Sequence, residues 1–442
     1  MSHSEKFNLQ LSLRAAASAL AIVFVLTVVA TQTAQAQTFK VLHAFTGGLD
    51  GGYSEAALTM DAAGNLYGTT FSGGYPGTCA FAEGCGAVFM LTRRGSHWIL
   101  SPIYAFQGGN DGSHPFAKVI FGPDGNLYGT TLAGGIGPCT WNSDTGCGTV
   151  FKLTRPAAAC TAAVCPWTET VLYRFASGSD GASPVSEVTF DPAGNVYGTT
   201  PTGGGTGCAG GLGCGTVYKL TPSNGGWTES IIYSFSRGDD GWSPEAGVIF
   251  DKTGNLYSTT VLGGSGCSDP GCGVVYELTP SGSGWTENVL YAFRYASDGA
   301  FPLAPPTFDS LGNLYGTTSD YGPNGGGTVF ELTPSAGGWT FTLLYSFVGT
   351  PGSQQGPDGP LVMDAAGSLY DTTKEEGTHW GAVFKLTPSG GGWTYTSLHV
   401  FDAGSDGGFP WGGIVFDANG DLYGTAATGG TYNNGVVWEI TP

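Results

Sequence analysis

Residues 307–318 read Thr-Phe-Asp-Ser-Leu-Gly-Asn-Leu-Tyr-Gly-Thr-Thr, and this stretch decides the fold because close variants of it occur seven times. Every copy contains a Gly-x-(Leu/Val)-Tyr core, and successive core tyrosines lie 53 to 69 residues apart. These tyrosines are Tyr67, Tyr128, Tyr197, Tyr257, Tyr315, Tyr370 and Tyr423. A period of this length, with four short β-type runs in each copy, is typical of propeller blades.

The four runs of each copy predict an antiparallel sheet. The first run ends at an Asp-x-x-Gly turn, which is typical of a three-residue hairpin loop with glycine in the left-handed region. The second run is Leu-Tyr-Gly-Thr-Thr, the third resembles residues 327–334, and the fourth begins at a tryptophan, as in residues 227–235. Runs rich in Val, Tyr, Phe and Thr between Gly and Pro are strands. The tryptophan run is expected to be outermost.

The two ends of the repeat region complement each other. Residues 38–45 form a fourth-type run with no blade before them, and residues 436–440 form a third-type run with no fourth after them. We therefore predict an all-β, seven-bladed propeller with four-stranded blades, closed by the N-terminal strand as the outer strand of the last blade. The predicted blades are 52–106, 113–175, 182–235, 242–293, 300–347, 355–401, and 408–441 plus 38–45.

The first 36 residues have the pattern of a secretory signal peptide. Lys6 and Arg14 precede an apolar run, Ala15 to Ala30, and Ala34-Gln35-Ala36 fits a cleavage site. The alternative is a retained anchor, although 16 apolar residues are shorter than a bilayer core requires. The sequence predicts an extracytoplasmic protein, periplasmic or secreted, whose residues 37–442 form one domain with no membrane span after cleavage.

All ten cysteines occur in close sequential pairs, and in an exported chain this pattern favours five local disulfides. A metal site is the alternative, but no histidine lies near any pair and no spacing is C-x2-C. The pairs are Cys79 with Cys85, Cys139 with Cys147, Cys160 with Cys165, Cys208 with Cys214, and Cys267 with Cys272.

Composition excludes some classes of partner. Glycine accounts for 77 of the 442 residues, yet 41% of residues are hydrophobic and 13% aromatic, which is enough apolar surface for a folded chain. The formal net charge is −19. A charge of this sign repels phosphate backbones and anionic lipids, so a nucleic-acid partner is not expected.

The repeated Gly-Asn-Leu-Tyr-Gly-Thr-Thr and Gly-Thr-Val-Phe-x-Leu-Thr segments resemble the GloVer tandem repeat of exported bacterial proteins. The resemblance covers residues 38–441 and implies an extracytoplasmic repeat protein, with no activity established for the family. The Phe-Asp-x-x-Gly-Asn-Leu-Tyr pattern is more loosely similar to NHL-type propellers, gluconolactonase-like hydrolases and streptogramin lyase. That likeness is one of fold and transfers no catalytic residue.

Six acidic residues recur eleven positions before the hairpin turn, each followed by glycine: Asp50, Asp111, Asp180, Asp240, Asp298 and Asp406. A ring of carboxylates could concentrate cations or hold Ca²⁺, although each aspartate could equally cap its own turn. Glu55, Glu245 and Asp358 add acidity where inner strands begin, and the next position is small in all seven blades, as a crowded axis requires.

Non-repeating aromatic residues map near the face that carries the long loops. Trp242, Phe301, Trp380 and Trp411 beside carboxylates could stack on sugar rings, or they could plug loops.

The sixth block departs most from the repeat. Ser353 replaces the recurring aspartate, Asp371 replaces the usual glycine, and the following loop contains Glu375, Glu376 and His379. The histidine could act as acid or base with either glutamate, or the segment could be a solvated charged loop.

These features lead to three hypotheses. The first is a binding or interaction module whose acidic, aromatic loop face takes an extracytoplasmic polysaccharide, peptide or cationic ligand. The second is a lyase or hydrolase with its site at the axial funnel, using the sixth-block residues or a divalent ion. The third is a structural role in the cell envelope. No cofactor is expected, with Ca²⁺ as the alternative.

Overall fold

The computed structural model describes residues 37–75, 79, 84–156, 167–205, 207–208, 211–282, 284–375 and 378–441. The signal-peptide prediction, the Cys160–Cys165 pair and Glu376 lie outside these residues. Residues 39–441 form one compact unit. Among the described residues, no helix has the length and hydropathy of a membrane span.

The fold is a seven-bladed β-propeller in which every blade is a four-stranded antiparallel sheet. The strands of blades 1 to 3 are β2 (Thr59–Met60), β3 (Leu66–Thr70), β4 (Ala87–Arg94), β5 (His97–Ala105), β6 (Ile120–Phe121), β7 (Leu127–Thr131), β10 (Thr149–Thr154), β11 (Thr168–Arg174), β12 (Thr189–Phe190), β13 (Val196–Thr200), β14 (Thr216–Ser223) and β15 (Gly226–Ser234).

The strands of blades 4 to 7 are β16 (Ile249–Phe250), β17 (Leu256–Thr260), β18 (Val274–Ser281), β19 (Gly284–Ala292), β20 (Thr307–Phe308), β21 (Leu314–Thr318), β22 (Gly325–Ser335), β23 (Gly338–Val348), β24 (Val362–Met363), β25 (Leu369–Thr373), β26 (Ala382–Ser389), β27 (Gly392–Val400), β28 (Val415–Phe416), β29 (Leu422–Ala426), β30 (Val436–Thr441) and, from the start of the chain, β1 (Thr38–Ala44). A 3-10 turn spans Gly109–Asp111.

The last blade combines the two ends of the described chain. Its strand order is β1-β30-β29-β28, so β1 occupies the outer position that the tryptophan strand holds in the other blades. The Phe45 amide donates to the Gly435 carbonyl (3.0 Å), as the Phe106 amide does to Gly86 in blade 1. The N-terminal strand therefore covers the outer edge of β30.

A ring of aromatic contacts joins each outer strand to the third strand of the following blade. A phenylalanine at the end of each outer strand meets an aromatic ring across the interface at 5.0 to 6.1 Å between centroids. The pairs are Phe45–Phe89, Phe106–Phe151, Phe175–Tyr218, Phe235–Tyr276, Phe293–Phe330, Phe347–Phe384 and Phe401–Trp438. Phe45 contacts Phe89 of blade 1, and in this way it joins blade 7 to blade 1.

A second ring of contacts lies near the axis. A threonine of each second strand donates its hydroxyl to a carbonyl where the next inner strand begins, and in blade 7 Thr425 donates to Ala56 of blade 1 (2.8 Å). The other donors are Thr69, Thr130, Thr199, Thr259, Thr317 and Thr372. Six of these carbonyls belong to the small residues predicted near the axis, and the seventh belongs to Pro410.

Blade 2 has two strands more than the four that were predicted for each blade. The loop between β7 and β10 contains an additional hairpin, β8 (Thr140–Trp141) and β9 (Asp144–Thr145). Asp144 of this hairpin accepts a hydrogen bond from His114 (2.5 Å), and Trp141 packs edge-on against Phe71. The repeat pattern did not predict this hairpin because the other blades have no counterpart in the alignment.

Four of the five predicted disulfides lie among the described residues: Cys79–Cys85, Cys139–Cys147, Cys208–Cys214 and Cys267–Cys272. Each closes a connection between the second and third strands of blades 1 to 4. The disulfides therefore hold the long loops on one face of the disc.

The outer strands of blades 2 to 4 carry glutamates at a position that holds an aromatic residue in blades 5 to 7. The aromatic residues Phe341, Tyr395 and Phe39 stack on the preceding blade. The glutamates Glu169, Glu229 and Glu287 each have a buried Oε1 without a hydrogen-bond partner. Burial and the neighbouring Asp111, Asp180 and Asp240 raise the pKa of each glutamate to about 7.

These glutamates predict a stability that decreases with pH. In the folded protein they keep their protons up to about pH 7, whereas in the unfolded chain they lose them near pH 4.5. Their favourable contribution is thus complete below about pH 4.5 and lost as the pH rises to 7. Urea unfolding should show lower stability at pH 8 than at pH 5, and changing all three glutamates to glutamine should reduce that difference. An unchanged difference would show that these groups do not cause it.

Candidate functional site

The axial cavity is lined by residues that immediately precede the inner strands. It encloses about 150 Å³ and lies at the end of the axis where the inner strands begin, on the long-loop face. At the position facing the axis, blades 1 to 7 present Glu55, Phe116, Val185, Glu245, Leu303, Asp358 and Trp411. The seven-fold symmetry of the backbone therefore carries an asymmetric ring of three carboxylates, three apolar residues and one indole.

Two further ionisable residues come from blade 6. Asp371 occupies the middle of β25, where five other blades have glycine and blade 4 has Ser258. Its side chain is fully buried, and its Oδ1 lies behind Gly359, where an added Cβ would be 2.8 Å from it. Lys374 follows β25, and its Nζ lies 4.8 Å from the centroid of the Trp411 ring.

The electrostatics of this cluster, which we call the axial acidic site (Glu55, Glu245, Asp358, Asp371, Lys374 and Trp411), are dominated by burial. Burial raises the pKa of Glu55 to about 8 and that of Asp358 to about 7, and Lys374 partly offsets both shifts. Burial also raises the pKa of Glu245, against the hydrogen bond that Ser243 donates to it (3.0 Å). The pKa of Asp371 is raised well above its ordinary value by burial and by Asp358. Each of these carboxyl groups therefore binds its proton more tightly than a solvent-exposed carboxyl group does.

The six recurring aspartates lie in their own turns and do not line the axial cavity. Each accepts from the backbone N–H four residues earlier and from a tyrosine or histidine seven residues earlier; Asp180, for example, accepts from Ala176 (2.9 Å) and Tyr173 (3.1 Å). The same pattern is seen for Asp50, Asp111, Asp240, Asp298 and Asp406. These hydrogen bonds correspond to the turn-capping alternative. At the entry to blade 6, where Ser353 replaces the aspartate, Asp320 of blade 5 accepts from Gly352 (2.9 Å) and Gln354 (3.1 Å) on either side of this serine.

Most of the predicted loop aromatic residues pack against or donate to neighbouring residues of the long-loop face. Trp242 donates to the Pro270 carbonyl (3.1 Å) and lies beneath Arg237, and Phe301 packs near Tyr295 and Tyr321. Trp380 contacts Phe409 edge-on at 4.9 Å and remains 44% exposed. Of the four predicted aromatics, Trp411 alone lines the axial cavity.

The described part of the sixth-block loop contacts a cavity-lining residue through Lys374 and not through Glu375 or His379. Glu375 accepts from the Gln355 side chain (2.7 Å), and His379 is exposed. Neither residue is among those that line the cavity, whereas Lys374 beside them is in contact with Trp411. The sequence signal for this site was the substitution of Asp371 for glycine, which does not by itself indicate where the carboxylate points.

A metal site made only of protein ligands has little support in the described residues. The one trio there whose ligand atoms lie within 4.8 Å of one another is Cys79, His114 and Asp144. The Cys79 sulfur is bonded to Cys85 and is not a thiolate, and the His114 ring contacts Asp144. The trio therefore offers two ligand groups, fewer than a structural site uses.

Comparison with known proteins establishes the family. The Gloeobacter/Verrucomicrobia repeat matches residues 27–210, 136–354 and 266–442, which together cover most of the chain. The chain belongs to this repeat family. The resemblance to GloVer repeats is thereby confirmed. No match was found among curated proteins.

Solved structures similar to this repeat protein share its fold at low sequence identity. A polysaccharide lyase, an ulvan lyase, has 8% identity and a TM-score of 0.50, with 88% of this chain and 94% of that one covered. A putative 6-phosphogluconolactonase from Bacteroides fragilis has 13% identity and a TM-score of 0.45, with 89% of each chain covered. The polysaccharide lyase Uly1 has 12% identity and a TM-score of 0.46, with 88% and 89% covered. At these identities the likeness concerns the fold alone.

Proposed function

We propose that this Gloeobacter/Verrucomicrobia repeat protein is an extracytoplasmic binding protein that takes a small ligand, or the end group of a larger one, in its axial cavity. The observation that carries the proposal is the asymmetric ring of residues at the cavity. Positions occupied by Phe116, Val185 and Leu303 in three blades are carboxylates in three others. The threonine hydrogen bonds to the backbone near these positions are found in every blade, whichever side chain faces the axis. We therefore infer that folding does not require the carboxylates.

The disulfides support an extracytoplasmic location. Disulfides persist in oxidising compartments and are rare in the cytosol. Four of them are found on the long-loop face, where the cavity lies. The loops around the cavity are therefore held in place before a ligand arrives, which lowers the ordering cost of binding.

Thermal melting with a panel of cationic, neutral and anionic small molecules tests this function. A ligand at 100 times its Kd should raise the melting temperature by about 3 °C or more. Trp411→Ala should abolish the shift, because this indole lines the cavity. Trp380→Ala, a matched change of an indole on the loop face, should leave it intact. If Trp380→Ala abolishes the shift and Trp411→Ala does not, the ligand binds on the loop face and the proposed site is wrong.

An acid–base enzyme is the second candidate. It is favoured by Glu55 and Asp358, whose pKa values of about 8 and 7 are suited to proton transfer at neutral pH, and by Lys374 near both. Turnover of lactones or uronate-containing polysaccharides would support this candidate. Such turnover should fall at least 100-fold in Asp358→Asn, while binding of the substrate persists.

A further inference from the structure

Carboxyl groups outnumber cationic side chains at the axial cavity. Glu187 and Lys118, which also line it, pair with each other at 3.5 Å. Glu55, Glu245 and Asp358 then remain, with Asp371 behind them and Lys374 as the one cation among the described residues of the axial acidic site. The site has fewer positive charges than carboxyl groups.

Unpartnered polar atoms point to a missing partner at the same place. Neither oxygen of the fully buried Asp371 accepts a well-formed hydrogen bond. Asp358 Oδ1 and Trp411 Nε1 are also buried without a partner. In blade 4, by contrast, Ser258 at the position of Asp371 donates to the Gly247 carbonyl (2.7 Å). Asp358, Asp371 and Trp411, which belong to blades 6 and 7, thus bring unsatisfied polar atoms to the axial acidic site.

Lys374 shows which kind of group this environment accepts. Its primary ammonium lies over the face of Trp411, a favourable cation–π geometry, and its charge acts on both Glu55 and Asp358. In the ring order, Lys374 and Trp411 of blades 6 and 7 are followed by Glu55 of blade 1. On the other side of Asp358, Leu303 separates it from Glu245, and no lysine or arginine lines the cavity there.

The arrangement of the carboxylates suits an organic cation better than a bare metal ion. No three carboxylates of the axial acidic site, all of them described residues, are brought within 4.8 Å of one another. Apolar side chains alternate with the acids, and such side chains pack well against hydrocarbon. A ligand with a cationic head on an apolar stem would therefore suit a cavity in which carboxylates are interleaved with apolar and aromatic residues.

We propose that the axial cavity binds a primary organic ammonium ion, with its charged head between Glu245 and Asp358 and its hydrocarbon stem against Leu303. This inference rests on the proposed binding function and specifies the ligand class for the same site. Lys374 provides the equivalent contact on the other side of Asp358, and Ser243 orients Glu245 by donating to it (3.0 Å).

Calorimetric titration of the full chain with n-butylammonium chloride tests the proposal. We expect saturable binding at pH 7.5, and at least tenfold weaker binding of n-butanol and of pentanoate, which keep the butyl stem and change the head. Glu245→Gln should weaken butylammonium binding at least tenfold. Glu375→Gln, a matched loss of one carboxylate beside the cavity, should leave it unchanged. Equal binding of butanol, or no effect of Glu245→Gln, would overturn the proposal.

A second variant keeps the test independent of folding defects at Glu245. Lys374→Ala removes the internal ammonium, and n-butylammonium should then occupy the vacated place and raise the melting temperature of this variant more than that of the unaltered protein. Lys118→Ala, which removes an ammonium that is paired with Glu187, should show no such gain. Equal shifts in both variants would contradict the assignment of Lys374 as an internal counterpart of the ligand.

Ligand binding in the axial cavity and the choice of an ammonium ligand can be disproved separately. If butylammonium does not bind but a neutral compound of the panel does, and Trp411→Ala abolishes that binding, the axial function stands and the ammonium class is wrong. If Trp380→Ala and not Trp411→Ala abolishes all binding, both are wrong.

Discussion

Replacing Phe45 with alanine should lower the free energy of unfolding by about 3–5 kcal/mol, the usual cost of truncating a buried phenylalanine. Phe45 is fully buried and packs on Phe89 with ring centroids 5.2 Å apart. Its core cluster includes Tyr423 and Val437 of blade 7 as well as Leu58 of blade 1. The substitution therefore opens the interface at which the ring of blades closes.

Phe235→Ala is the matched control for this prediction. Phe235 is 3% exposed and contacts Tyr276 across the interface of blades 3 and 4 at 5.2 Å. If the N-terminal strand contributes to blade 7 as other outer strands do to theirs, the two substitutions should cost similar amounts in urea unfolding. A cost below about 1 kcal/mol for Phe45→Ala, with the full cost for Phe235→Ala, would show that the N-terminal strand is dispensable.

Asp371→Gly should stabilise the protein by about 1–2 kcal/mol at pH 7, because leaving a buried polar group without partners costs about 1–3 kcal/mol and glycine in a strand costs somewhat less. The gain should grow with pH. The pKa of Asp371 is raised in the folded state, so the carboxyl group opposes folding increasingly as the pH rises above the ordinary value of 3.8.

The same substitution should weaken butylammonium binding, since it removes a carboxyl group of the axial acidic site. Ser258→Gly is the control, because Ser258 holds the same position in blade 4 with its hydroxyl satisfied. This control should be neutral or destabilising and should not alter binding. A destabilised Asp371→Gly protein would mean that the carboxyl group stabilises the fold through a structural partner. It would then not be a group whose role is to bind a ligand.

The fold could be predicted from the sequence because the information repeats. Seven copies of one pattern indicated the number of blades, the hairpin turns and the outer position of the tryptophan strand. The four described disulfides followed from pairs close in sequence, such as Cys208 and Cys214. Features of this kind depend on neighbours within a single blade.

The axial acidic site depends on contacts between blades, and this explains what the sequence did not reveal. Glu55 and Glu245 were recognised as acidic residues at inner-strand starts, but their nearness to Asp358 and Lys374 depends on the closed ring. The loop of block six contains three charged residues in a row, residues 374–376, and no spacing rule indicates that Lys374 contacts Trp411 while Glu375 binds Gln355. The local packing of the aromatic residues, such as that of Trp380 on Phe409, is not visible in the sequence either.

Titration of the protein with n-butylammonium chloride in two buffers of different ionisation enthalpy is the decisive test of ammonium binding in the axial cavity. Glu55, with a pKa of about 8, is mostly protonated in the ligand-free site at pH 7.5, whereas Asp358, with a pKa of about 7, is protonated in a minority of molecules. A bound cation favours the ionised form of both groups. We expect binding to release protons to the buffer. The heats of binding measured in the two buffers should therefore differ at pH 7.5 and converge near pH 9.5. Saturable binding with identical heats at pH 7.5, or no saturable heat at all, would contradict this expectation.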